Sequence, residues 1–224
     1  MKTVYFVRHG ESESNVNIRL MQGAFQGETS PLTPKGEEQA RFIAERCTKL
    51  PIDVILSSPA VRARSTAHAI QMATGATLEE HAMFTERRSP SELFGRPRSD
   101  PEMQKLVVRW YETFYQEGVR VGDGENFEDL KTRVCAALDY LAKRPEQHIL
   151  VASHGFFLHM VISVVLLGDT LTVDEFRRVT RKVWMNNTGI TQLEYFLPED
   201  GRNLDKVPYE KWVLRIWNDH AHLG

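Results

Sequence analysis

Three short apolar runs, VYFVRHG at 4–10, IDVILSSP at 52–59 and HILVASHG at 148–155, stop abruptly at polar or charged residues, and each precedes a segment with helical periodicity. Runs that are apolar at nearly every position, rather than at every second one, suit strands buried on both faces. Such strands alternating with amphipathic helices imply an α/β fold whose largely parallel sheet is covered on both sides. This pattern constrains the chain more than any feature of its composition.

The helices carry their own start signals. Thr33-Pro34 supplies an N-cap and a first-turn proline for a helix over 34–48, with Ala40, Ile43, Ala44 and Cys47 as its buried stripe. Ser58-Pro59 repeats the signal before a helix that ends near Gly75. Asp100-Pro101 opens a third, on which Leu106, Val107, Trp110 and Phe114 share a face, and residues 126–143 form a fourth with Leu130, Val134, Leu138 and Leu141 inward. The run FFLHMVISVVLLG at 156–168 is interrupted by His159 and falls short of the roughly 20 apolar residues that a bilayer requires, so it reads as a buried helix. GITQLEYF at 189–196 and KWVLRIW at 211–217 are expected to be two further strands around a polar turn. No internal repeat or linker divides the chain, so residues 1–224 are expected to be one domain.

A formal net charge of -2 creates no overall field toward nucleic acid or an anionic membrane, so neither is an expected partner. The first residues lack the pattern of a signal peptide, and a cytoplasmic location is expected. Cys47 and Cys135 lie on apolar sides of helices and read as buried, reduced thiols. His159 follows His154 by five positions rather than the four of a helical zinc pair and reads as core, and His68, His81, His148, His220 and His222 show no ligand spacing. No metal or cofactor is expected. VGDGENF at 121–127 lacks the lysine of a phosphate-binding loop.

In open α/β sheets ligands bind beyond the carboxyl ends of the strands. That edge receives Arg8, His9 and Gly10 from the first run, Ser57, Ser58 and Arg62 from the second, and Ser153, His154 and Gly155 from the third. Two guanidinium forks around one pocket suit a phosphoryl group, and the helix start near Arg62 adds its dipole. Flanking cations disfavour protonation of His9 and leave it a competent nucleophile. His154, as imidazolium or as an N–H tautomer, could stabilise the transferring oxygens. A carboxyl beside the bound phosphate could act as general acid: Glu86 is the candidate, with Glu92 in reserve. Gly10 is expected to let the backbone approach a phosphate closely. Arg87, Arg88, Arg96 and Arg98 form either a basic rim for a second anionic group or a solvated surface.

VRHGES, SSPAVRARSTA and SHGFFLHM, in this order, resemble the motifs of the histidine phosphatase superfamily, in the branch of cofactor-dependent phosphoglycerate mutases and bacterial broad-specificity phosphatases. LTPKGEEQA, GENFEDLKTRV and NNTGITQLEY extend the resemblance over nearly the whole chain. It implies a three-layer, doubly wound, mostly parallel sheet with a small capping insertion at 84–125. It also implies a metal-independent reaction in which His9 is phosphorylated and Glu86 donates a proton, while Arg8, Arg62 and His154 bind the phosphoryl group. Asn15, Gln22, Gly23 and Gly155 would complete the substrate site, and the partner would be a small phosphorylated substrate. Phosphoglycerate mutases of the family carry Arg-His-Tyr-Gly after the glutamate, where this chain reads ERRSPSELFG, which favours hydrolysis. Mutase-type transfer and a non-catalytic phosphate-binding module are the alternatives, and oligomeric state is left open.

Overall fold

The computed structural model describes residues 1–20, 22–196 and 212–224. Strands β1 (Lys2–Arg8), β2 (Val54–Ser57), β3 (Thr77–Glu80), β4 (His148–Ser153), β5 (Ile190–Tyr195) and β6 (Trp212–Asp219) form one sheet in the order β3-β2-β4-β1-β5-β6. The first four in that order run parallel, β5 pairs antiparallel with β1, and β6 pairs antiparallel with β5 and so runs in the direction of the first four, which is the expected mostly parallel α/β architecture. Helices α1 (Glu13–Leu20), α2 (Pro34–Cys47), α3 (Val61–Thr74), α4 (Pro101–Thr113), α5 (Phe127–Lys143), α6 (Gly155–Leu167) and α7 (Val173–Lys182) complete the described elements.

The two faces of the sheet follow the strand period of two. Val4 and Phe6 of β1, Leu56 of β2 and Val151 of β4 pack with Leu130 and Val134 of α5 and with Phe157 and Val161 of α6. Tyr5, Val7, Ile55, Leu150 and Ala152 point the other way, onto Ile43 and Cys47 of α2 and Ala67 and Ile70 of α3. A third, smaller cluster of Leu93, Met103, Trp110 and Val121 lies in the excursion between β3 and α5 and packs on Phe25.

The expected caps are present at α2, where Thr33 accepts from the Gly36 N–H, at α4, where Asp100 accepts from Glu102 and Met103, and at α5, where Asn126 and Asp129 form a capping box. Gly75 closes α3 at φ 74°, a conformation that suits glycine. Two readings need correction here, and one helix was not foreseen. Ser58-Pro59 does not begin α3: the N-cap is Ala60, and the Ser58 hydroxyl accepts from the Ala60 N–H at 3.2 Å. Cys135 is half-buried rather than buried, whereas Cys47 is buried. Helix α7, with its Thr172/Glu175 capping box, is an element that apolar periodicity does not reveal, because Phe176 is its one buried residue. The turn expected between β5 and β6, together with Lys211, lies outside the described residues. No described helix is long and apolar enough to cross a membrane.

Candidate active site

Register assembles the site. In the parallel β1–β4 pair Arg8 lies opposite Ser153, and the ladder continues as the His9 N–H donates to the Ser153 carbonyl at 3.0 Å. His9 and His154, the next residues on the two strands, therefore lie side by side with ring centroids 5.1 Å apart. Strand β2 flanks β4 on its other side and leads into α3, whose first turn carries Arg62.

Arg62 joins the two rings. Its Nε donates to His9 Nε2 at 3.1 Å, its Nη2 lies 3.1 Å from His154 Nδ1, and its Nη1 donates to the Gly27 carbonyl at 2.9 Å. A guanidinium can only donate, so both ring nitrogens that face it carry lone pairs. The remaining nitrogens are then the protonated ones. His9 Nδ1–H donates to the Gly10 carbonyl at 2.7 Å, and His154 Nε2–H donates to the Ser58 hydroxyl at 2.8 Å. Burial, followed by the charges of Arg62 and Arg8, holds His9 well below the ordinary imidazole value of 6.5. Burial and then Arg62 do the same to His154. Both rings are thus neutral, and each turns an unprotonated nitrogen toward one guanidinium.

Arg8 is the second buried cation. Its Nη1 donates to the Met185 carbonyl, its Nε is buried without a partner, and a Cβ at Gly155 would sit 3.4 Å from that Nε. Glycine at the start of α6 therefore leaves room for the Arg8 side chain. Gly10 has a different task from the expected one. A Cβ there would lie 2.5 Å from the Gly36 carbonyl oxygen, so Gly10 permits close packing of two backbone segments rather than approach to a ligand. Thr66 of α3 accepts from the Gly10 N–H at 3.0 Å, which ties the same loop to the helix of Arg62.

Glu86 is brought to this group. Its Oε1 accepts from the N–H groups of Arg87 at 3.0 Å and Phe157 at 2.9 Å, and its Oε2 accepts from Phe156 at 3.2 Å. The carboxylate therefore sits at the N-terminus of α6, directly after His154, and its charge acts on both Arg8 and Arg62. Arg133 steadies the segment from behind by donating to the carbonyls of Met83 and Thr85, both at 2.8 Å, and of Glu86 at 3.1 Å. Arg133 is itself paired with Glu125, 2% exposed, at 2.7 Å. Glu92, by contrast, is exposed with its carboxylate beside Gly122.

The other expected residues divide. Asn15 Oδ1 accepts from the N–H and hydroxyl of Ser12 and, at 3.4 Å, from Asn187, so this oxygen shapes the loop after His9. Gln22 and Gly23 are exposed, and the Gly23 carbonyl accepts from the Arg98 N–H at 2.9 Å. Three of the four rim arginines are engaged in structure. The Arg87 guanidinium lies 3.8 Å from the Trp110 ring centroid and 4.1 Å from that of Phe114, and burial pulls its pKa down to about 10. Arg88 pairs with Glu125, and Arg96 with Asp100. Arg98 is buried at 7% exposure, and among the described residues no carboxylate pairs with it. His159 is half-buried and its Nε2–H donates to the Val183 carbonyl at 2.9 Å.

Two contributors were not anticipated in these roles. Ser58, in the second motif, holds the His154 tautomer. Asn187 donates to the His9 carbonyl at 2.8 Å, while the Thr188 N–H donates to the Arg8 carbonyl at 2.9 Å, so the NNTG turn grips the backbone of the Arg-His pair. The NNTGITQLEY motif was the available signal, but it does not say which atom reaches where. Among the described residues no group of three or more His, Cys, Asp or Glu is placed to hold a metal ion.

Known proteins resemble the chain in sequence and in fold. A protein from Escherichia coli named probable phosphoglycerate mutase GpmB is 34% identical over 228 residues, spanning 100% of this chain and 95% of its own length. Bacillus stearothermophilus YhfR superposes with a TM-score of 0.78 at 22% identity, covering 100% of both chains. The alpha-ribazole phosphatase from Shigella flexneri superposes with a TM-score of 0.72 at 19% identity, covering 97% of this chain and 96% of that one. The family model of the histidine phosphatase superfamily (branch 1) matches residues 4–205, and the chain belongs to that superfamily.

Proposed function

We propose that the protein is a phosphomonoester hydrolase working through a phosphohistidine on His9 Nε2. The observation that carries this reading is the lone pair of His9 Nε2, held neutral by burial and directed at Arg62, with Arg8 and His154 around the same point. A phosphoryl group entering there takes over the donors of Arg62, which at present meet the two imidazoles, and the free Nε of Arg8.

In the first step the Nε2–P bond forms as the bond from phosphorus to the leaving oxygen breaks. Glu86, protonated while the phosphoryl dianion is bound, gives its proton to that oxygen. Oε1 accepts two N–H groups and Oε2 only one, so Oε2 is the oxygen better able to carry the proton. The Nδ1–H bond to the Gly10 carbonyl steadies the phosphorylated ring. In response to the incoming dianion His154 takes a proton from solvent on Nδ1 and, as imidazolium, hydrogen-bonds a phosphoryl oxygen through that N–H without transferring the proton, with Ser58 still accepting from Nε2–H. In the second step Glu86 removes a proton from water, the water oxygen bonds to phosphorus, and the Nε2–P bond breaks to restore neutral His9. Residues 84–125 serve as the cap, and the substrate is a small phosphomonoester.

Mutase-type transfer is the second reading, favoured by the name of the 34% identical relative. The two part in one assay. With purified protein in chelator and a panel of phosphorylated metabolites, sugars, nucleotides and phosphopeptides, inorganic phosphate release exceeding isomerisation supports hydrolysis. Isomerisation far exceeding release supports the mutase. Full turnover by His9→Ala contradicts both.

A further inference from the structure

The turn that grips Arg8 and His9 is itself held by the far end of the chain. Within residues 186–189 the Asn187 side chain donates to the His9 carbonyl at 2.8 Å and the Thr188 N–H to the Arg8 carbonyl at 2.9 Å, while the Arg8 N–H donates to the Gly189 carbonyl at 3.3 Å. The backbone that permits these bonds is not a relaxed one. Thr188 is buried and sits at φ 58°, in the left-handed region that a β-branched residue rarely adopts. Such a conformation persists only where its surroundings over-determine it.

Those surroundings come from the last residues of the chain. Asn218 of β6 accepts from the Asn186 N–H at 2.8 Å, and half-buried His222, in a short turn of 3-10 helix at Ala221–Leu223, places Nε2 3.0 Å from the Thr188 hydroxyl oxygen. The direction of the second bond follows from counting protons. The Thr188 hydroxyl has one proton and gives it to the Asn187 carbonyl at 2.7 Å, so His222 Nε2–H is the donor. His222 Nδ1 is buried and, among the described residues, has no partner, which a lone pair tolerates better than an N–H would. Burial, and then the charge of Arg46, lowers the pKa of the ring to about 4 against the opposing effect of Asp219, so the ring is neutral. Arg46 of α2 pairs with Asp219 and thereby anchors the terminal turn to that helix.

We infer that His222 is a positioning residue for the nucleophile: by donating to Thr188 it keeps the turn at 186–189 in the conformation that fixes the backbone of Arg8 and His9. This rests on the phosphohistidine reading, in which His9 is the attacking group. The bonds run from His222 Nε2–H to the Thr188 hydroxyl and on to the Asn187 carbonyl, and Thr188 and Asn187 then each hold one carbonyl of the Arg-His pair. Without the first bond the turn is free to relax from its left-handed residue, and the backbone of residues 8 and 9 shifts with it. A reacting group misplaced by about 1 Å can lose on the order of 10²-fold in rate.

His222→Phe keeps a ring on the terminal turn and removes the donor, whereas His222→Gln keeps an N–H. With p-nitrophenyl phosphate as substrate, His222→Phe should lower kcat by roughly tenfold with KM within about twofold of wild type, and His222→Gln should recover part of the loss. In a Thr188→Val background, which leaves no hydroxyl to accept, His222→Phe should cost little more. Rates are compared per folded molecule, with the urea midpoint of each variant as the check. Wild-type kcat in His222→Phe, no recovery with glutamine, or full additivity with Thr188→Val would each overturn the positioning role. Should His222→Phe fail to fold, His222→Ala carries the same comparison. A second readout needs no turnover. In protein carrying isotope-labelled histidine, the His9 Nδ1–H that donates to the Gly10 carbonyl should give a resonance that His222→Phe shifts or broadens and His222→Gln restores; an unchanged resonance counts against the inference. Failure of the phosphatase reading looks different: the wild-type protein would turn over no phosphomonoester, and the His9 resonance would still respond to His222.

Discussion

The sheet edge and the excursion between β3 and α5 both bury arginines but treat them differently. In the excursion, charge is compensated: the buried carboxylate of Glu125 takes Arg88 and, from α5, Arg133, Arg96 pairs with Asp100, and Arg87 lies among aromatic rings with two carbonyls accepting its hydrogen bonds. At the edge, Arg62 meets two neutral histidines and one carbonyl, Arg8 meets one carbonyl, and among the described residues no carboxylate is in ion-pair contact with either. Burying a cation without an anion is expensive unless a ligand supplies the charge. Compensated arginines hold the fold, and on the proposed function the uncompensated pair is where the anion would bind.

The largest effect expected from disturbing this division is at Glu86, the group that links the two regions. Glu86→Gln keeps the acceptor for the α6 amides but cannot donate a carboxylic proton, so kcat should fall by about 10²–10⁴. The loss should shrink for aryl phosphates, whose leaving groups need little protonation; steady-state kinetics on an alkyl and an aryl substrate check this. An equal loss on both would remove Glu86 from the acid role.

Next in size is Glu125→Ala, which strands the charges of Arg88 in the excursion and of Arg133 on α5. It should cost about 3–5 kcal/mol of stability, as for other broken buried pairs, read as a shift in the urea midpoint. It should also lower activity, because Arg133 holds the carbonyls of Met83, Thr85 and Glu86. Loss of activity with an unchanged midpoint would contradict a structural role.

A smaller effect distinguishes the two regions by pH. His9 and His154 have folded-state values depressed below 6.5, so as pH falls under 6.5 the unfolded chain binds protons that the folded edge refuses. Stability should be fully present above 6.5 and decline by roughly 1.4 kcal/mol per pH unit for each histidine below it. The Glu125 carboxylate is lowered from 4.5 by the Arg133 bonds against the opposing effect of burial, and its contribution is lost only at still lower pH. Denaturant titrations at pH 7.5 and 5.5 should therefore show a drop that His9→Asn lessens. A flat profile over that interval would mean that the histidines are not buried as neutral rings.

The edge was legible in the amino-acid sequence for a physical reason. A strand delivers its last residues to a position set by topology, so Arg8, His9 and His154 could be placed from the apolar runs and Arg62 from the helix that follows. What could not be read was direction. Ser58 was on the right edge, but its hydroxyl turns to His154, and Gly10 was read as facing a ligand although its bare face meets Gly36. In the excursion, four arginines within one polar segment looked alike, and tertiary packing alone separated Arg87 in its aromatic surroundings from exposed Arg88 and unpaired Arg98. Helix α7 and strand β3 escaped because their residues are mostly polar and half-exposed, leaving little apolar period to detect.

The most direct test of the central claim is to trap the intermediate. Protein mixed with a labelled phosphomonoester is quenched in base within a turnover, and the peptide containing residue 9 is examined for phosphate that survives alkali and is lost in acid. The account predicts such phosphate on His9 Nε2 in the wild-type protein and none in His9→Ala, whose turnover should be lower by about 10³-fold or more. Rapid hydrolysis with no phosphate ever found on His9, or undiminished turnover by His9→Ala, would contradict it.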